Sequence, residues 1–332
     1  MVAPPALTSP CPLPSSQVPP PPVPPSAPQD APPGPPSPPP PPPPGPPVAP
    51  LVFGLAKSRV LQEALKRAGP TPGARDDVKR LLVLHKDRFR SDLQWLLFCA
   101  DLPSLIQEGP QCGLVALWMA GSLLTPHPGV PLERIVATAM ERGYTAQGEM
   151  FSAADMAKLA QEVYGCRAEL LVGGMGGHNR QRVLRHVTAG HPLLVPYDED
   201  CNHEPCRRQG HKAHWAVSAG VLLGVQGPLP PNAYHEDPDL AGLFHPRHPS
   251  AAYPEAPVAV RLLAKQGKSC RYQLWDYEQL CQSNLQLTDL SPARAADGKT
   301  YVVPAGGVRA GLCGRVLLLR PGPPAPGDVG AV

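Results

Sequence analysis

The chain has 332 residues, and 50 of them are proline, about three times the usual share. Twenty-six of those prolines fall in the first 50 residues, which carry one charged side chain, Asp30, and no aromatic ring. All 30 Lys and Arg follow residue 50, against 26 of the 27 Asp and Glu, a balance that argues against nucleic acid as the main partner.

No apolar run approaches the ~20 residues of a membrane-spanning helix. The N-terminus lacks the basic start and apolar core of a signal peptide. Nine scattered cysteines are odd in number and do not suggest a disulfide scaffold, so a reducing, cytoplasmic compartment is expected.

Residues 1–50 cannot bury enough apolar surface to offset the entropy of ordering them. They are read as a disordered, proline-rich segment, and 51–332 as one folded domain. Within the head, residues 38–44 are unbroken proline, a semi-rigid polyproline II rod. Such rods dock into aromatic grooves on SH3, WW, EVH1 and profilin-type partners, or serve only as spacers.

Next, 76–99 carries Val78, Leu81, Leu82, Leu84, Phe89, Leu93, Leu96 and Leu97 among basic residues, which predicts one amphipathic helix or two short ones. A loop at 107–112 leads into a buried helix over 113–120. A further helix is expected over 131–142. Ser152 with Asp155 starts another, which ends at Gly165. A strand follows at 168–172, then a helix at 179–189 stopped by Gly190. The C-terminal half changes to short apolar or alternating runs at 192–196, 214–223, 258–264, 271–275, 300–303 and 315–319. Helices first and strands later predict an α+β fold with an antiparallel sheet.

Cys112 sits where the Gly109-Pro110 loop meets the buried helix. The unpaired N–H groups of a first helical turn favour a thiolate and can hold an oxyanion, and Gly113 removes bulk beside the sulfur. An ordinary buried cysteine is the plainer alternative. His214 heads an alternating strand, where its ring can take the thiol proton. Asp276 is the candidate acceptor for the other ring nitrogen, with Asn284 and Asp289 as weaker choices. Asp276 also reads well as a helix N-cap before 277–280.

Cys201, His203, Cys206, His211 and His214 fall within 14 residues, and all can ligate zinc. Their spacing matches no standard finger, so a polar loop near the cleft is preferred to a zinc hydrolase. The glycines at 173–177 lack the register of a phosphate loop and read as a turn. Trp118, Trp215 and Trp275 read as core aromatics.

The order Cys112, His214, acid resembles the papain-like cysteine peptidases, and more closely their leader-peptidase branch on bacteriocin exporters. Gln107-Glu-Gly-Pro-Gln-Cys-Gly-Leu114, the stretches 151–165 and 183–195, and Gly210-His-Lys-Ala-His-Trp-Ala-Val217 carry the likeness. It implies a papain-like fold with the nucleophile on the central helix. It also implies an oxyanion-hole glutamine, which commonly lies one residue further from the cysteine than Gln107 does here. Gln107 is the expected donor, with Gln111 directly adjacent to Cys112.

The strings EGPQCGLVALWMAG, YDED, GHKAHWAVSAG and YQLWDYEQL, with the proline head, are similar to a group of cytosolic animal aminopeptidases. These remove the acetylated first residue, methionine or cysteine, from newly made actin. The likeness implies an actin N-terminus as substrate and gives a reason for profilin as a partner of the proline head; a monomer without metal or cofactor is expected. An adaptor whose peptidase-like domain only binds is the non-enzymatic alternative.

Overall fold

The computed structural model describes residues 74–125, 129–248 and 256–323. The proline-rich head, read above as disordered, lies outside the described residues, as does the rod at 38–44. The described residues form a mixed α+β structure around one large sheet.

Helix α1 runs Ala74–Leu84 and strand β1 Gln94–Cys99. This corrects the helical reading of 76–99. Leu96, Leu97 and Phe98 are buried in a strand rather than on a helical stripe, because β1 pairs antiparallel with the long strand β5, Ala213–Val225. A short apolar run does not distinguish a strand from a buried helix; its pairing decides.

Helix α2, Cys112–Gly121, is buried on all sides. Helix α3 spans Leu132–Glu141 and α4 Ala153–Tyr164. The ends of α4 follow local chemistry. The Ser152 hydroxyl accepts the Asp155 N–H, and Gly165 closes the helix in the left-handed conformation at φ 60°. Strand β2 covers Arg167–Val172, helix α5 Arg180–Thr188, and strand β3 Leu193–Glu199.

Strand β4 is the two-residue Pro205–Cys206, and β6, β7, β8 and β9 are Tyr234–Glu236, Leu243–Pro246, Ala259–Gln266 and Gln273–Asp276. Helices α6, α7 and α8 cover Tyr277–Asn284, Pro292–Ala295 and Gly307–Leu312, and β10 covers Arg315–Arg320. The run 300–303 forms no strand.

The main path of the sheet is β2-β10-β3-β5-β1-β7-β6, with β8 on the other flank of β5 and β9 beyond it. All pairings are antiparallel except β1 with β7, so the antiparallel expectation holds for all but one pairing. β5 is the spine. It pairs with β3 along 213–218, with β1 along 220–225, and with β8 along 216–224. All 13 of its residues are buried, because helices cover both faces. One apolar cluster joins α2, α3 and α4 to one face, through Trp215 and Val217. The second joins α5 and α6 to the other, through Ala216 and Trp275.

Candidate active site

Cys112 is the first residue of α2, with Gln111 as its N-cap. Its neighbour Gly113 lets the helix start seat closely. A Cβ there would lie 2.8 Å from Met156 Cε and 2.9 Å from Met150 Cβ. The helix points its first turn at the entry of β5, where the Trp215 backbone N–H reaches the Cys112 sulfur.

Cys112 lines a small pocket of about 10 Å³ whose walls are mostly apolar: Pro110, Met150, Phe151, Trp215 and Leu312. Ala213 lines it as well, so both chain neighbours of His214 belong to the pocket wall. The Trp215 indole N–H donates to the Met150 carbonyl at 2.8 Å and fixes that wall to β5.

Two polar side chains complete the pocket. Glu149 is buried and accepts the Thr145 hydroxyl at 3.0 Å and the N–H groups of Ala146, Gln147 and Val302 at 3.1, 2.6 and 2.8 Å. It is therefore a structural carboxylate, tying 145–149 to the segment read as a strand at 300–303. Arg294, on α7, lies over the rings of Phe151 and Tyr301, 5.3 and 5.9 Å from their centroids.

His214 is buried, and its Nε2 has no hydrogen-bond partner among the described residues. Its ring packs edge-on against Tyr197, its cross-strand partner on β3, at 5.9 Å. Its Nδ1 lies 4.0 Å from Glu199 Oε2. Glu199 ends β3 and is itself buried; it also meets His203 Nδ1 at 2.9 Å and the Lys268 ammonium.

The electrostatics follow from burial. Desolvation pushes the Cys112 thiol up, against the Trp215 N–H and the charges of Arg294 and Lys268, which pull it down. Desolvation also pushes His214 down to about 4, with Glu199 pulling the other way and Lys268 adding to the fall. Burial pushes Glu199 up, but the attraction of His214, Lys268 and His203 outweighs it and holds the carboxyl below its ordinary value. The thiol and imidazole thus rest neutral. The helix start alone does not give a lowered thiol here, because burial exceeds it.

Asp276 does not join this group. Its side chain accepts the N–H groups of Glu278 and Gln279 at 3.0 and 3.1 Å and caps α6. It pairs across β8 Arg261 with Leu222 of β5. Leu222 lies eight residues along that strand from His214, about 26 Å at the rise of a strand. The alternatives fare no better. Asn284 Nδ2 bridges the carbonyls of Pro196 and Arg315, and Asp289 accepts the Thr288 hydroxyl on the surface.

Gln107 lies on the loop before α2, its backbone N–H on the Gly267 carbonyl at 2.6 Å. A Cβ on Gly267 would fall 2.6 Å from Gln107 Oε1, so this glycine makes room for the carboxamide. One Nε2 proton goes to the Gly109 carbonyl at 2.8 Å, which leaves the second. Gln266, at the end of β8, is fully buried, its Nε2 has no partner among the described residues, and its carboxamide acts on His214. Neither Glu199 nor Gln266 was singled out by sequence; the alternation of buried positions on paired strands was their only signal.

Among the described residues no group of three or more His, Cys, Asp or Glu is placed to hold a metal ion. His203 is turned to Glu199, and Cys201 is exposed. The eight described cysteines are free thiols. No helix among the described residues is long and apolar enough to cross a membrane.

Comparison with known proteins gives the class first. Residues 102–222, a span holding Gln107, Cys112, Glu199 and His214 but not Asp276, match the family model described as actin maturation protease-like, C-terminal domain. The chain is 73% identical to the actin maturation protease of Bos taurus over 278 residues, covering 82% of this chain and 80% of that one. It is 69% identical to that of Homo sapiens over 276 residues (81% and 78%), and 32% identical to that of Drosophila melanogaster over 211 residues (63% and 64%). No solved structure matches. The chain is a protease by this kinship, and it belongs to the actin maturation protease family.

Proposed function

We propose that this protein is a papain-like cysteine aminopeptidase that removes the acetylated first residue, methionine or cysteine, from immature actin. The observation that carries the reading is the placement of Cys112. A buried thiol at a helix start is reached by the backbone N–H of Trp215, the chain neighbour of His214 on β5, and lines a small, mostly apolar pocket. The names of the relatives supply actin.

In this reading His214 takes the Cys112 proton when substrate enters, and the thiolate attacks the carbonyl of the acetylated residue. Glu199, in place of Asp276, balances the imidazolium that forms. The oxyanion is held by the Cys112 N–H and the free Gln107 Nε2 proton. His214 then protonates the leaving amine, and water cleaves the thioester to release the acetylated amino acid. An acetylated terminus carries no positive charge, which suits the apolar walls formed by Met150, Phe151 and Leu312.

In this reading the proline-rich sequence of residues 1–50 recruits profilin carrying actin, and the enzyme works as a monomer in the cytoplasm. The peptidase reading is tested by incubating acetylated actin N-terminal peptides with wild type and Cys112→Ala and following products by mass spectrometry. Release by wild type and a loss of about 1000-fold or more in the variant is expected. Undiminished trimming by the variant would remove Cys112 as nucleophile.

A further inference from the structure

Among the described residues, Arg294 is the only cation that lines the Cys112 pocket. It is half-buried on the four-residue helix α7, whose other three residues are exposed. The ring faces of Phe151 and Tyr301 hold its guanidinium. No hydrogen bond or ion pair among the described residues engages its five N–H donors. Asp297 feels its charge, but that carboxylate accepts the Tyr301 hydroxyl and the Lys299 N–H.

No acid is left to balance this charge inside the pocket. Glu149 is the only carboxylate in its walls, and its oxygens already accept Thr145, Ala146, Gln147 and Val302. Glu199, the other acid that acts on Cys112, is taken up by His203, Lys268 and His214. The thiol therefore shares its pocket with apolar walls and a guanidinium whose donors are open. The charge reaches the sulfur, where it pulls the thiol pKa down against burial.

That combination sorts the two kinds of N-terminus. An unblocked terminus is mostly an ammonium at neutral pH. Setting it beside a guanidinium, away from water and with no free carboxylate, is unfavourable. A blocked terminus has no charge, and its acyl carbonyl is an acceptor. A hydrogen bond to that oxygen from a charged donor is about twice as strong as one from a neutral donor.

We infer that Arg294 is the specificity-determining residue of the Cys112 centre: its guanidinium donates to the acyl carbonyl of a blocked N-terminus and repels an unblocked ammonium. The inference rests on the peptidase reading above and deepens it. It concerns the acyl group ahead of the first residue and needs no acidic side chain in the substrate. Arg294 is also the wall best placed to yield. The pocket encloses about 10 Å³, the room of about one water, so a wall must move when a side chain enters. Trp215 and Glu149 are pinned by hydrogen bonds, whereas Arg294 rests only on ring faces.

The test uses three peptides with one first side chain, each continued by serine and glutamine. The first is acetylated and the second has a free amine. The third is the des-amino form, with neither the charge nor the acetyl carbonyl. Wild type is expected to favour the acetylated over the free-amine peptide at least about 100-fold in kcat/KM. Arg294→Met should shrink that ratio at least about tenfold, lowering the acetylated rate and raising the free-amine rate. Cleavage of the des-amino peptide should stay within about threefold of wild type, which a merely structural role for Arg294 does not predict. The same peptides are titrated by fluorescence anisotropy onto full-length Cys112→Ala, with and without Arg294→Met, to read binding without turnover.

An unchanged ratio in Arg294→Met would overturn the assignment and leave the peptidase standing. An equal fall on all three peptides would make Arg294 only a wall, and would overturn it too. If wild type cleaves no peptide, the binding arm decides. A preference for the acetylated peptide that disappears with Arg294→Met would support the subsite and remove the reaction assigned to Cys112. Equal binding of acetylated and free-amine peptides would overturn the subsite.

Discussion

Glu199 and Asp276 separate two questions that a sequence joins. Both are acids at the end of a strand, but only Glu199 lies near His214, its Oε2 4.0 Å from Nδ1. Only Glu199 is paired into the strand beside His214, and only Asp276 caps a helix. Glu199→Gln should therefore lower kcat/KM at least about tenfold, while Asp276→Ala should leave it near wild type and cost about 1 kcal/mol of stability as a lost N-cap. The pH profile adds a second reading of the pair. His214 acts as base only when neutral, and burial holds its pKa down to about 4. The acid limb of kcat/KM should thus lie near pH 4–5 rather than near the ordinary ~6.5. Glu199→Gln removes the negative charge that raises the ring's pKa, so the limb should move lower still. Steady-state rates across pH on one acetylated peptide check both. A limb at the ordinary histidine value would show that His214 opens to water before it acts.

At the scale of elements, the helix containing Cys112 was legible because its cues are local: a Gly-Pro loop, then a continuous apolar run. The same holds for α4, whose Ser152 and Gly165 end it by side-chain and backbone chemistry within a turn. What escaped depends on distant partners. β1 is a strand because β5 lies beside it. Residues 300–303 alternate like a strand, yet the Val302 N–H goes to the Glu149 carboxylate instead of a sheet. Glu199 is brought to His214 by the register of β3 on β5, which no spacing reveals. The helix start at Cys112 and the strand at His214 follow from local cues, while the approach of Glu199 to His214 does not.

One close approach between elements shows how tightly the pocket is built. Gly311, on α8, faces Phe151, and a Cβ there would fall 1.8 Å from the Phe151 carbonyl oxygen. The adjacent Leu312 and Phe151 both line the Cys112 pocket. Gly311→Ala must push α8 away, at a cost of about 1–3 kcal/mol. Thermal melting should show the loss, and KM should rise with the displaced wall. An unchanged KM with a lowered melting point would mean that α8 does not shape the first-residue site.

At the scale of the whole molecule, the two histidines buried among the described residues, His186 and His214, shape how the fold meets acid. His186, on α5, packs with the second apolar cluster's helix and meets the Pro192 carbonyl at 3.0 Å through Nε2. Burial lowers its pKa to about 4, as it does for His214. In the unfolded chain both return to about 6.5. Between those values the unfolded state binds more protons, so folding stability is full above about pH 6.5 and falls as pH drops toward 4. Each histidine contributes about 1.4 kcal/mol per pH unit across that window. The lowered carboxyls of Asp77, Asp237 and Glu199 act further down, since their contribution is lost only as pH falls through the carboxylate range. The two classes are therefore ordered: histidines first, carboxylates after. Urea unfolding at pH 7.5, 6 and 5 should show a steady loss before any carboxylate titrates, and His186→Gln should make that slope shallower. A stability that stays flat from pH 7.5 to 5 would mean that both imidazoles reach water in the folded state, and the neutral resting pair at Cys112 would fall with it.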